Sequence, residues 1–161
     1  MADWYVLNAR EGEWWDRGPR GRVKNLVTDD DAQVGANIFV LEPGQQMSMY
    51  HWENDQEGFL VLTGEALLLV EDEERTLRAW DYLHCPVPVR HTIVGAGSGP
   101  AAILAIGARE HQHGADWGAY PYSDVAMKHD ASAEEETTSA DEAYARFPEG
   151  EAAEYGEGWL P

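Results

Sequence analysis

From about Asp3 to Glu110 the chain is a succession of short apolar runs, each stopped by turn residues. "NIFVLEPG" ends in Pro-Gly, "FLVLTGE" in Thr-Gly and "ALLLVEDEE" in a charged turn, and "PAAILAIGA" is a late, fully apolar run. Runs this short and this closely spaced, with no long helical periodicity between them, predict an all-β domain folded as a sandwich or barrel. "FLVL" and "ALLLV" are continuous rather than alternating. That pattern is expected of strands covered on both faces, as when a barrel wall is backed by another sheet or subunit.

Beyond this region the character changes. "SDVAMKHD" offers Ser123 as the N-cap of a short helix, and Ser139 with Glu142 has the Ser-x-x-Glu spacing of a capping box, predicting a helix from about Ala140 to Arg146. Between Asp130 and Pro161 ten residues are acidic and only Arg146 is basic, as in a solvated tail around one docked helix. The division expected is a β-barrel domain over residues 1–121 and an acidic extension over 122–161 with one or two short helices. Trp159-Leu160 at its end suggests that the terminus packs back onto something.

A length of 161 residues is that of one domain with a real core. Eleven basic against thirty acidic residues leave a net charge of −19, which repels phosphate backbones and anionic bilayers and argues against nucleic-acid and membrane partners. A single cysteine, Cys85, excludes an internal disulfide and reads as a small buried apolar residue. "MADWYVLNAREGEWW" shows no basic leader followed by an apolar run, and no apolar stretch approaches the roughly eighteen residues of a membrane span. The expected location is cytoplasmic. No glycine-rich phosphate loop is present, so nucleotide binding has no support.

Chemistry concentrates in "YHWENDQEGFLVLTGE", Tyr50 to Glu65. Read as a strand, "LEPGQQMSMYH" puts His51 and Glu53 on one face, because side chains two apart share a face. "ENDQ" has the composition of a hairpin turn, and the return strand would bring Glu57 beside them. His91, in "CPVPVRHTIVG", is a fourth candidate ligand. By the same parity Met47 and Met49 share the face of His51, and Phe59 and Val61 that of Glu57, forming the walls of an apolar cavity suited to a small organic ligand. His111 and His113 have ligand spacing but follow the last strand without a third partner, and read as loop. "WWDRGPRGR", Trp14 to Arg22, reads as an aromatic and cationic lip or as a strand and turn that packs on a partner subunit.

These residues resemble the cupin superfamily. Its first motif is matched by Gly44, His51, Glu57 and Gly64, with Glu53 in place of the second histidine and one extra residue between Gly44 and His51. Its second motif is matched by Pro86 and His91, with Trp80, Pro88 and Gly95 replacing two glycines and an asparagine. Fifteen residues, Glu65 through Ala79, separate the motifs, as in compact single-domain bacterial cupins.

The resemblance implies a double-stranded β-helix (jelly-roll) barrel, a homodimer formed through edge strands, and a metal centre. Carried over by position, the ligands become His51, Glu53, Glu57 and His91, where the usual set is three histidines and one carboxylate. Two carboxylates neutralise a divalent cation and suit Mn, Fe, Ni or Zn. A second alternative turns Glu53 to solvent within "ENDQ", leaving three ligands. Without a metal the two glutamates would repel, and one would be expected to stay protonated. The expected function is a metal-dependent enzyme, isomerase or oxygenase, acting on a small organic molecule with Glu53 as the catalytic base. The alternative is a non-catalytic module that binds or senses a small ligand.

Overall fold

The computed structural model describes residues 4–161. The chain runs through β1 (Trp14–Asp16), a short 3-10 helix (Gly18–Arg20), β2 (Arg22–Asn25), β3 (Val34–Leu41), β4 (Trp52–Glu53), β5 (Glu57–Thr63), β6 (Glu65–Val70) and β7 (Glu73–Arg78). It continues through β8 (Tyr82–Cys85), β9 (His91–Ala96), β10 (Ala101–Ala108), β11 (Gly118–Ala119), α1 (Asp124–Met127), α2 (Ala140–Ala143) and β12 (Glu151–Ala153). One sheet has the order β12-β1-β2-β3-β10-β5-β8, a second β7-β6-β9, and β11 pairs with β4 alone. The strand pairs are antiparallel, and the whole is an all-β jelly-roll barrel. No helix among the described residues is long and apolar enough to cross a membrane.

Alternation sorts the apolar runs. Phe59 and Val61 of β5 point inward with Leu41 and Ile103, and meet Ala66, Leu68 and Ile93 of the second sheet in the main core. The residues between them face outward, yet they too are covered. Leu62 and Leu104 pack under a cluster built on Trp14, Ile38 and Val40, roofed by Tyr155, Trp159 and Leu160. Leu69 and Val94 are covered by Tyr50 and by Ala126 and Ala131 of the α1 region. The continuous runs are therefore buried on both sides, and it is the chain's own terminal segments that cover them.

The acidic extension does more than surround a helix. Its last strand, β12, pairs with β1 in the register Trp14 with Ala153. Trp159 meets the Trp14 ring edge-on at 5.2 Å, leaving Trp14 1 % exposed. "WWDRGPRGR" is thus a strand and turn that pack within the chain. Arg17 and Arg20 bend inward so that their guanidinium groups stack on Phe39 and Tyr144. Both helices have the expected serine caps, Ser123 accepting from Ala126 N–H and Ser139 from Glu142 N–H. The second stops at Ala143, short of Arg146, because Tyr144 leaves the helical region.

Two turns explain the hairpins. Gly64 alone joins β5 to β6 at φ 78°, and a Cβ there would stand 2.4 Å from the Pro100 carbonyl oxygen, so no larger residue fits. Glu71 and Asp72, both at positive φ, form the two-residue turn between β6 and β7. β7 itself is a charged, exposed edge, which discourages pairing with another chain.

Trp14→Ala is expected to destabilise the fold by about 3–5 kcal/mol, since it opens a cavity under the terminal roof. Urea denaturation followed by circular dichroism measures it, and a loss below about 1 kcal/mol would show that β12 and Trp159 do not depend on that ring.

Candidate metal centre

The segment from Gly44 to His51 is not a regular strand. It touches β9 at two isolated bridges, Gln46 with Val94 and His51 with His91. At the second bridge each histidine N–H donates to the other's carbonyl oxygen, at 3.1 and 2.8 Å. This pairing sets the two imidazoles side by side, with ring centres 4.8 Å apart. Glu57 is the first residue of β5, held by Gly107 on one flank and Cys85 on the other. β4 and β5 do not form the expected hairpin. β4 pairs with β11, so "ENDQ" crosses between sheets, and Glu57 reaches the histidines from the opposite wall.

The ligand atoms of His51, Glu57 and His91 all lie within 4.8 Å of one another. Glu57 Oε2 is 2.9 Å from His91 Nε2 and 3.8 Å from His51 Nε2. Glu53 stands outside this set and half-buried, with Oε1 3.1 Å from His51 Nε2. Its backbone is paired with Gly118, which aims the carboxylate past His51.

Ring tautomers give this geometry its meaning. His51 Nδ1 faces the Met49 carbonyl oxygen at 2.8 Å, and His91 Nδ1 faces that of Val89 at 3.0 Å. A carbonyl only accepts, so each Nδ1 carries its proton, and a neutral ring then turns the Nε2 lone pair into the cavity. There it meets carboxylate oxygens. His91 Nε2 and Glu57 Oε2 are buried and, despite their 2.9 Å separation, neither has a hydrogen bond of acceptable geometry. Two lone pairs at that distance repel, and either a proton on Nε2 or a metal ion between the two atoms relieves them. Donor atoms about 2.1 Å from a shared ion, at right angles, stand about 3 Å apart, which this pair satisfies. The nitrogen and oxygen donor set fits a divalent transition ion.

Charge follows the same logic. Burial opposes ionisation of Glu57, but His91 and the nearby His51 outweigh it and hold the carboxyl below its ordinary range. Burial likewise opposes protonation of His91, yet the Cys85 thiol, with Sγ 3.2 Å from Nδ1, and Glu57 raise it well above the usual imidazole value. The centre attracts positive charge whether a proton or an ion supplies it.

Around these groups is a cavity of about 300 Å³. Met47 and Phe59 line it, the Phe59 ring 5.4 Å from His91. Met49 and Val61, expected on its walls, do not line it. Met49 is fully buried with Tyr120, Ala133 and Ala143, because the bends at residues 47, 48 and 50 break strand parity. Val61 lies deeper in the main core. The far wall comes from residues that spacing did not single out, Tyr120 and Tyr144, and from Arg109 at the end of β10. Tyr144 belongs to the acidic extension, and only tertiary contact brings it here.

His111, read as loop, pins another wall. Its N–H donates to Asp55 Oδ2 at 2.8 Å, and its ring Nδ1 lies 2.9 Å from Asp55 Oδ1. Asp55 is 6 % exposed, so the pair fastens "ENDQ" to the segment after β10. Asp55→Ala is expected to cost about 1–3 kcal/mol by leaving these donors without their acceptor. Chemical denaturation tests this, with a near-zero cost showing that the segment is held elsewhere.

Residues 37–107 match the family model for a cupin domain. A putative sugar phosphate isomerase from Acidithiobacillus ferrooxidans is similar at 25 % identity and a TM-score of 0.51, over 56 % of this chain and 62 % of that one. A sugar phosphate isomerase from a cupin superfamily, from Silicibacter pomeroyi, is similar at 26 % identity and the same TM-score, over 63 % of this chain and 62 % of that one. The chain therefore spans about six tenths of the length of each. A cupin 2 conserved barrel domain protein from Salinispora arenicola shares the fold at 20 % identity and a TM-score of 0.54, over 68 % of this chain and 91 % of that one. No protein of curated function matches.

Proposed function

We propose that this chain, whose residues 37–107 match the cupin-domain model, is a metal-dependent isomerase acting on a small organic molecule. The observation that carries this reading is the buried, unpartnered pair His91 Nε2 and Glu57 Oε2, with both Nδ1 protons tied to carbonyls. His51, Glu57 and His91 would hold Mn, Fe, Ni or Zn, and Glu53 would be a fourth ligand or a free carboxylate beside them. When bound, the ion supplies a Lewis acid for a carbonyl or hydroxyl oxygen.

The chain's own groups would do the proton work. Glu53 is the more exposed carboxylate of the two and is held at the cavity by the pairing of its backbone with Gly118, so it can take a proton from a carbon beside a carbonyl and return it to the carbonyl carbon while the hydroxyl proton passes to the carbonyl oxygen. Glu57, held ionised in the buried position, serves the centre and not the transfer. Phe59 and Met47 keep water from one side of the reacting carbons. The similarity to two chains described as sugar phosphate isomerases supports isomerisation over oxygenation.

The deciding experiment measures metal in untagged protein and then solvent deuterium uptake into a panel of aldose and ketose phosphates by proton NMR. Near-stoichiometric metal, and exchange that stops on chelation, are expected. Glu53→Gln should lower the exchange rate about 10²–10⁴-fold. Metal without turnover on any aldose, ketose or hydroxy-acid substrate would instead mark a non-catalytic ligand-binding module. No metal in the parent, and none on titration with Mn, Fe, Ni or Zn, overturns the reading.

Metal affinity should also depend on pH with a definite sign. His91 is raised above the ordinary value of 6.5, so a proton competes with the ion there and affinity falls on acidification. The fall should be about tenfold per pH unit for each proton displaced. Zinc competition titrations between pH 6 and 8 measure it, and a flat profile would remove His91 from the ligand set.

A further inference from the structure

The inward face of the large sheet carries one cation into the cavity. Arg109 directly follows β10, and its N–H donates to the Gln33 carbonyl oxygen at 3.1 Å, extending the β3–β10 ladder. One step back, Gly107 pairs with Gly35 on one side and Glu57 on the other. Two side-chain-free positions thus lie beside Glu57 and leave open the stripe between its carboxylate and Arg109. The guanidinium lies over Gly35, where a Cβ would stand 2.7 Å from Nε and 3.1 Å from Nη2. Both glycines and Arg109 line the cavity.

Among the described residues Arg109 is the one guanidinium that lines the cavity, and it makes no ion pair. Its Nη1 donates to the Asp29 carbonyl oxygen at 3.0 Å, which fixes the fork, while Nε and Nη2 have no acceptor among the described residues. Asn37, the next inward residue of β3, lines the same cavity and has no side-chain hydrogen bond among the described residues. A fixed guanidinium with two free parallel donors matches the geometry of a carboxylate or phosphate oxygen pair.

We propose that Arg109, with Asn37, is an anion subsite that binds the carboxylate or phosphate group of a small organic anion reaching toward His51, Glu57 and His91. The inference rests on the metal-centre reading for what lies at the other end of the ligand. A divalent ion balances the charges of Glu53 and Glu57, leaving Arg109 as the net charge of the cavity. An otherwise strongly acidic protein thereby keeps one place that favours an anion. Gly35 and Gly107 set the reach, because any side chain on either would fill the stripe that the ligand must cross.

The test is calorimetric titration of the Mn-loaded and the metal-free full chain with inorganic phosphate and, separately, with acetate, with the metal content of each sample measured. The parent is expected to bind one of the two anions. Arg109→Gln should weaken that binding about tenfold or more, with metal content and melting temperature held, and Arg109→Lys should recover part of it by charge without the fork. Preference for phosphate indicates a phosphate ester as the ligand, and preference for acetate a carboxylic acid. Binding of neither anion, or equal binding by parent and Arg109→Gln in both forms, overturns the proposal. If Arg109→Gln does not fold, Asn37→Ala replaces it, with weaker binding expected and unchanged binding overturning. Arg109-dependent binding in a protein that takes up no metal supports the subsite and refutes the metal-centre reading alone.

Discussion

Two hydrogen bonds between the backbones of His51 and His91 hold together what is otherwise an irregular crossing of the barrel mouth. Residues 44–50 have no regular ladder, and this reciprocal pair, the bridge at Gln46, the Gly44 N–H to Gly95 bond and the Thr92 hydroxyl on Ser48 tie them to β9. The pair also sets the side-chain chemistry. It fixes both imidazoles on one side, near enough that their Nδ1 protons reach carbonyls two residues before each ring, at Met49 and Val89. Everything at the centre follows from that orientation. Both Nε2 atoms point into the cavity, and Glu57 meets them from the facing sheet.

The barrel can afford an open mouth because its walls are sealed elsewhere. The apolar runs of β5, β6 and β10 are covered on both faces, a pattern usually associated with central strands of larger assemblies. Here the second layer is supplied by Trp14, Tyr155 and Trp159 over one sheet and by the α1 region over the other. Negative charge is kept off these faces and onto edges and loops, as β7 and residues 134–136 illustrate.

Much of this architecture is legible in the sequence, for a physical reason. Strand length and turn composition are local properties, so the short runs with Pro-Gly, Thr-Gly and charged turns read directly as an all-β fold. His51, Glu57 and His91 come to attention by local spacing, and the structure gathers these three side chains. What escapes is non-local. Strand parity placed Met49 and Val61 on the cavity wall, but parity fails at Met49 because the chain bends around it, while Val61 keeps the face of Phe59 and lies too deep in the core. Tyr144 reaches the cavity from an acidic segment nearly a hundred residues after His51, with no periodic signal to mark it. Arg109 is visible only once the β3–β10 register is known, because its meaning comes from the glycines opposite. The covering of the runs was legible, whereas its source in the chain's own ends was not.

The pairing of β1 with β12 also governs the order in which the molecule can be completed. Trp14 and its partners at residues 151–160 lie about 140 residues apart, so the seam closes only after the intervening chain has been made. Until then the outward face of Ile38 and Val40 has no roof, and the nascent barrel carries an exposed apolar face. Closure of such a distant seam comes late and slows folding, because loop entropy must be overcome before the contact forms. The stickiest surface of this chain is therefore hidden only when residues 151–160 dock.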